Sequence, residues 1–196
     1  LPNGDLVVGG FFATVNNVPM SCIARWNGST WSPLGAGLNG EVRSLARLPN
    51  SDLVAAGYFS ASGGVVVNGV ARWNGVAWSP LGSGLTGSSG SGIGRALAVL
   101  PNGDLVVGGS FTAAGGVAAG NIARWNGTTW SPLGPGLPPL TTFNGVEALA
   151  AAPNGDVVAG GTFTTSGGAP VDYLGRWNGT TWSTIGGSVN SLVRSV

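Results

Sequence analysis

The side chains able to do chemistry in this chain are few and regularly spaced. Its 196 residues include 8 arginines and 7 acids, with no histidine or lysine and a single cysteine, Cys22. One acid and one arginine recur together, as Asp5 with Arg25, Asp52 with Arg72, Asp104 with Arg124 and Asp156 with Arg176. Such a set could ring a ligand, but an Asp at a turn and an Arg on a strand more simply satisfy each other or nearby backbone. Without His there is no Ser-His-Asp triad and no usual zinc site, and without Lys no Schiff base. A glycosidase needs two carboxylates converging on one bond. Only Glu41, Glu147 and Asp172 fall outside the pattern of one acid per repeat. The expectation is a protein that is not an enzyme, with no catalytic residue, no metal ligand and no cofactor.

The 8 tryptophans come in pairs, Trp26/Trp31, Trp73/Trp78, Trp125/Trp130 and Trp177/Trp182. They could stack on sugar rings, yet a pair in every repeat is better explained by packing between repeats. Asn27-Gly-Ser, Asn126-Gly-Thr and Asn178-Gly-Thr match the glycosylation acceptor pattern. Asn-Gly is also what a tight turn requires, so the match says little. A lone cysteine forms no intrachain disulfide.

These groups sit in one unit written four times. Pro-Asn-(Gly/Ser)-Asp begins at Pro2, Pro49, Pro101 and Pro153, Arg-Trp follows at Arg25, Arg72, Arg124 and Arg176, and both anchors step by 47, 52 and 52 residues. A period of this size with strand-like content marks a propeller or array whose units bury their faces on one another. Within one unit the pattern predicts strand A at 42–46, a Pro-Asn turn, strand B at 53–57 or 105–109, a long B–C loop, strand C at 122–125, an Asn-Gly turn and strand D at 130–134. Four antiparallel strands per unit make a propeller blade. Blades are expected near 189–196 plus 1–35, 41–82, 92–134 and 145–186, in one all-β propeller of four four-stranded blades per chain.

A strand ending in Gly-Gly, an aromatic soon after, an Arg-aromatic strand, a tight turn and a further Trp resemble the kelch repeat. The form Arg124-Trp-Asn-Gly-Thr-Thr-Trp-Ser-Pro-Leu-Gly134 is similar to the Trp-Asn-Gly repeats of large secreted bacterial proteins and fungal cell-surface polarity markers, and the resemblance covers the whole chain. It implies a kelch-like propeller at the cell surface or outside the cell. Kelch usually has Tyr where this chain has Trp. Since such propellers serve as platforms and as enzymes, fold alone does not decide function.

The segment 193–196 aligns with 42–45, a strand A, while Leu1-Pro2 aligns with Leu48-Pro49 and so lacks one. One blade is expected to take its innermost strand from a C-terminus, of the same chain or of a second copy. Leu1 is not expected to be a translation start, and a leader, earlier repeats or an engineered cut are all compatible with it. Four blades in a ring turn about 90° each and eight about 45°, and the small side chains of 149–152 and 158–161 suit the flatter stacking. A homodimer closing an eight-bladed ring, or a fragment of a longer propeller, is therefore expected over a four-bladed monomer.

Alternating strands place the A–B and C–D turns on one side and the B–C and D–A loops on the other. From the strand D Trp to strand A is 11 residues in the first and last repeats and 16 in the middle two, which accounts for the uneven period. Insertions that spare the scaffold usually mark the working face. The candidate face comprises the insertions 83–93 and 135–145 with the B–C loops 12–21, 60–69, 112–121 and 164–173, and its distinctive residues are Phe12, Met20, Phe143, Asp172 and Tyr173. Arg43, Arg95, Glu147 and Arg194 share one position on strand A and form a candidate ring along the channel. Mutual Arg–Glu pairing is the plainer account of that ring.

Charged residues are only 8% of the chain and the net charge is +1. That gives no basic footprint for nucleic acid, and no apolar run approaches the length of a membrane span. The expected partners are a protein or glycan bound by the loop face, or further copies of the chain in a self-assembling structural role.

Overall fold

A computed structural model describes residues 1–88, 90–139 and 145–196, which form strands and turns with no helix among them. The A–B turn follows from its sequence. In the second repeat Leu48 N–H donates to the Asp52 carbonyl and Ser51 N–H to the Leu48 carbonyl, both at 2.9 Å, with Pro49 and Asn50 at the corner. The next residue must enter the left-handed region, where Gly4, Gly103 and Gly155 have φ of 87°, 89° and 89° and Ser51 has 73°. The Asn50 carboxamide locks the turn, accepting from Asp52 N–H at 3.2 Å and donating to the Asp52 carboxylate at 2.9 Å. Across the C–D turn, Asn74 Oδ1 accepts from the backbone N–H groups of Val76 and Ala77 at 3.0 and 2.9 Å, and Trp73 lies opposite Trp78.

Three large four-stranded antiparallel sheets place their strands side by side in the order they occur along the chain. One is Glu41–Arg47, Leu53–Tyr58, Val70–Trp73 and Trp78–Pro80. The next is Ile93–Val99, Leu105–Ser110, Ile122–Trp125 and Trp130–Pro132, and the last is Val146–Ala151, Val157–Gly161, Leu174–Trp177 and Trp182–Thr184. The first sheet has three strands, Leu6–Gly9, Ile23–Trp26 and Trp31–Pro33. Strand D stops at its proline instead of running to 134, because Gly134 turns the chain at φ 60°.

The segment 193–196 differs from the expected strand: it joins no ladder among the described residues. It does occupy an inner-strand place beside the last sheet. A Cβ built on Gly160 would lie 2.6 Å from Val193 Cγ1 and 3.1 Å from Val196 Cγ1. The equivalent Gly9 meets Val42 and Leu45 in the same way, and Gly108 meets Val146 and Leu149.

The core lies between sheets. The first interface joins Ile23, Leu34 and Leu38 of one sheet to Leu53, Ala55, Phe59, Trp73 and Trp78 of the next. The second joins Val54, Val70, Leu81 and Leu85 to Leu105, Val107, Phe111 and Trp130, and the third joins Val106, Ile122, Leu133 and Leu137 to Val157, Ala159, Phe163 and Trp182. The same repeat positions recur each time, so each sheet offers one face forward and another back. An indole latch crosses every interface: the Nε1–H groups of Trp78, Trp130 and Trp182 donate to the carbonyls of Leu34, Leu81 and Leu133 at 2.9, 2.8 and 3.0 Å. The tryptophans are structural here, with intra-pair ring centroids 5.2 to 5.6 Å apart.

Candidate ligand-binding face and inner-strand ring

The B–C segments, read above as loops, are hairpins of two-residue strands. They are Thr14–Val15 with Val18–Pro19, Ala61–Ser62 with Val65–Val66, Ala113–Ala114 with Val117–Ala118, and Thr165–Ser166 with Ala169–Pro170. Their tips are Asn16-Asn17, Gly63-Gly64, Gly115-Gly116 and Gly167-Gly168, with positive φ at both residues, the signature of a type I′ turn. Those pairs were the visible sequence signal. The insertion at 83–93 adds the strands Leu85–Gly87 and Gly90–Ser91, which join the Ala113–Ala114 hairpin in one small four-stranded sheet. This sheet bridges the loops of neighbouring units. Within the second insertion, Phe143 lies outside the described residues.

The named side chains of this face separate on inspection. Met20 is 1% exposed and belongs to the core, a correction to its place as a contact residue. Phe12 is half-buried and occupies the repeat position of Phe59, Phe111 and Phe163, all buried, so it is a packing residue of the unit. Asp172 and Tyr173 are partly exposed and adopt φ of 41° and 65°. Ser21-Cys22 and Asn68-Gly69 take the same left-handed pair in their repeats. Asn121 shows what the position wants: its Oδ1 accepts from Phe111 N–H at 3.1 Å and its Nδ2 donates to the Leu137 carbonyl at 3.0 Å, all buried.

Two aromatics that the sequence argument did not select stand out. Phe11 is 82% exposed and Tyr58 63%, at equivalent positions at the end of strand B in neighbouring repeats, where the other repeats have Ser110 and Thr162. Column-by-column comparison of the repeats held that signal. Beside Phe11 opens a cavity of about 350 Å³ lined by Phe12, Ser21, Cys22, Leu38 and Asn39. The Asn39 carboxamide oxygen accepts from Ser60 and Ala61 N–H at 2.9 Å each, fixing its wall to the next unit's hairpin.

On the inner strands, Arg43, Arg95 and Glu147 are each the extra residue of a β-bulge, between Val42 and Ser44, Gly94 and Ala96, and Val146 and Ala148. A bulge re-aims its side chain out of the sheet's alternation. Arg95 reaches the neighbouring Glu147 at 2.9 Å, whereas Arg43 turns to Glu41 of its own strand at 2.9 Å. Arg194 is exposed. The Asp and Arg of each repeat pair with one another, at 3.4 Å for Asp5–Arg25, 3.6 Å for Asp52–Arg72, 2.8 Å for Asp104–Arg124 and 2.6 Å for Asp156–Arg176. Hydrogen bonds from Asn154 and then from Arg176 hold the Asp156 carboxyl below its ordinary range. No group of three His, Cys, Asp or Glu side chains suited to a metal occurs among the described residues, and no helix there is long and apolar enough to cross a membrane.

Comparison with known proteins agrees with this architecture. Residues 100–127 match the model of a family described as a domain of unknown function (DUF5122) beta-propeller. No curated protein matches the chain. Two crystal structures of the extracellular domain of BT4673 from B. thetaiotaomicron, one described as a one-component and one as a hybrid two-component system, are similar over 100% of this chain with TM-scores of 0.63 at 12% and 13% identity. The chain spans 23% of the length of each. Strand order, repeated interfaces and these matches together make it an all-β protein with a β-propeller fold.

Proposed function

We propose that this chain is a non-enzymatic recognition module, working outside the cell or at its surface, that binds a protein or glycan through the face carrying the B–C hairpins and D–A loops. The four sheets are then four consecutive blades of kelch-like, Trp-Asn-Gly type. The observation that carries the proposal is the exposed aromatics Phe11 and Tyr58 at one repeat position on neighbouring units, with a cavity that Phe11 borders. Exposed aromatic rings supply a large flat contact at low entropic cost, for a sugar face or an apolar side chain alike. The chemistry elsewhere adds support: the chain has no His or Lys, and the Asp of each repeat is spent on an Arg. An extracellular setting draws on the similar BT4673 structures, which are described as the extracellular domain of a one-component or hybrid two-component system.

The test is a glycan array and a displayed random-peptide library, each probed with the wild-type chain and with Phe11→Ala and Tyr58→Ala variants of unchanged melting temperature. Binding to at least one class by the wild type, weakened about tenfold or more in both variants, is expected. Equal binding by the variants would move the site off this face, and no binding to either panel would overturn the recognition role.

A further inference from the structure

In a chain of near-copies, a side chain that the other repeats do without points to work beyond the scaffold. The second repeat gathers three such departures at one corner, the loop-face end of its two innermost strands. Glu41 stands where the next two repeats have Ile93 and Gly145, and Tyr58 where they have Ser110 and Thr162. Arg43 shares its bulged position with Arg95 and Glu147, but those two bond each other across the unit boundary, whereas Arg43 bonds within its own strand. The corner lies inside the stack, in a sheet packed between the one before it and the one after it.

The fold brings these side chains together and holds them. Glu41 and Tyr58 are direct partners in the antiparallel ladder, so they leave the same face of the sheet with Cβ atoms about 5 Å apart. Arg43 Nε and Nη2 both donate to Glu41 Oε2, at 3.0 and 2.9 Å. Glu41 Oε1 and Arg43 Nη1 make no hydrogen bond to a described residue, and the two side chains are 36% and 34% exposed. The segments that carry the corner are pinned to each other. Asn39 Oδ1 accepts from Ser60 and Ala61 N–H, and Asn39 Nδ2 donates to Ser60 Oγ at 3.0 Å. A Cβ on Gly40 would collide with the Tyr58 carbonyl and one on Gly57 with the Glu41 carbonyl, so the two backbones run at closest approach.

An exposed phenol ring beside a carboxylate oxygen and a guanidinium nitrogen suits a sugar. The ring takes the C–H face of a pyranose, while the carboxylate accepts from one hydroxyl and the guanidinium donates to its neighbour. An acceptor and a donor side by side match adjacent hydroxyls better than a peptide bond, whose N–H and C=O point opposite ways. Glu41 and Arg43 cancel as a pair, so an acidic sugar meets Glu41 and an amino sugar meets Arg43 with no net attraction. We propose that Tyr58, Glu41 and Arg43 form a subsite for one neutral pyranose unit of a glycan, its face on Tyr58 and two adjacent hydroxyls on Glu41 Oε1 and Arg43 Nη1. The assignment rests on the loop face being a recognition surface and narrows its ligand to uncharged sugar.

Calorimetric titration of the full chain with hexamers of glucose, mannose and galactose, and with oligogalacturonate and chitosan oligomers, tests it. Heat of binding with at least one neutral hexamer, and none with the charged oligomers, is expected. Tyr58→Phe keeps the ring and should bind within about twofold of wild type, whereas Tyr58→Ala and Glu41→Gln, at unchanged melting temperature, should each weaken binding about tenfold. Ser110→Ala, at the Tyr58 position of the next repeat, should bind as wild type does. Binding that survives Glu41→Gln, or a preference for the charged oligomers, would overturn the subsite. Silence with every neutral hexamer would overturn it too. Capture of a displayed peptide by the wild type would then keep the face as a recognition surface, and failure with peptides as well would remove both readings.

Discussion

At the scale of single residues, the repeats act as their own controls. Ser51 takes φ of 73° where three repeats have glycine, and left-handed backbone costs an L-residue about 1 kcal/mol or more. Ser51 is exposed and at a turn, so Ser51→Gly is expected to stabilise the chain by about 1 kcal/mol, read as a rise in melting temperature. No change would mean that the turn tolerates the strain. Asn121 is the opposite case, because its amide satisfies a buried N–H and a buried carbonyl together. Asn121→Ala should cost about 3 kcal/mol in denaturant unfolding, and a loss under about 1 kcal/mol would show that water replaces both bonds. The Asp156 carboxyl gives a pH signature. Its folded-state pKa is depressed, so its stabilisation is complete above about pH 4 and disappears as pH falls through the folded value. Asp156→Asn should flatten the stability profile below about pH 4, and an unchanged acid slope would assign that slope to other groups.

At the scale of elements, what joins one sheet to the next is a repeated indole latch over a floor of small residues. Trp130→Phe keeps most of the apolar contact and removes one of the two donors to the buried Leu81 carbonyl, which retains Gly84 N–H at 3.1 Å, at an expected cost of about 1 kcal/mol. The Trp31 indole has no such acceptor among the described residues, so Trp31→Phe should cost much less; equal losses in the two variants would show that the hydrogen bond is not what matters. Gly108 tests the floor: an added Cβ would fall 2.4 Å from Val146 Cγ1, so Gly108→Ala should destabilise by about 1 to 3 kcal/mol in chemical denaturation. Much of this layer was legible in sequence. Pro-Asn-Gly-Asp and Trp-Asn-Gly placed both turns of each sheet, because those residues admit the backbone angles the turns need. The B–C hairpins were not recovered. Their strands are two residues long, too short for alternation to register, although Gly-Gly and Asn-Asn marked their tips.

At the scale of the whole molecule, cohesion between units is mainly apolar, with the indole hydrogen bonds and the Arg95–Glu147 pair added to it, and most charges are satisfied within their own unit. Each repeat's Asp and Arg pair with one another, and the net charge is +1. The melting temperature should therefore change little between about 0.05 M and about 1 M sodium chloride and should rise in sulfate. A clear loss of stability at high sodium chloride would show that ion pairs contribute.

The sequence by itself determined the repeat, its strand order and its turns, since those depend on backbone preferences and apolar periodicity within a few neighbouring residues. It also marked Asp and Arg for mutual pairing and the tryptophans for packing. The tertiary structure alone decided which similar-looking residues face solvent. Met20 and Phe12 read as surface loop residues, yet Met20 is core and Phe12 sits half-buried in a packing position, while the adjoining Phe11 and the distant Tyr58 stand exposed. Burial is set by the neighbouring sheet, some 50 residues away in the chain, and a local pattern carries no record of what will cover it.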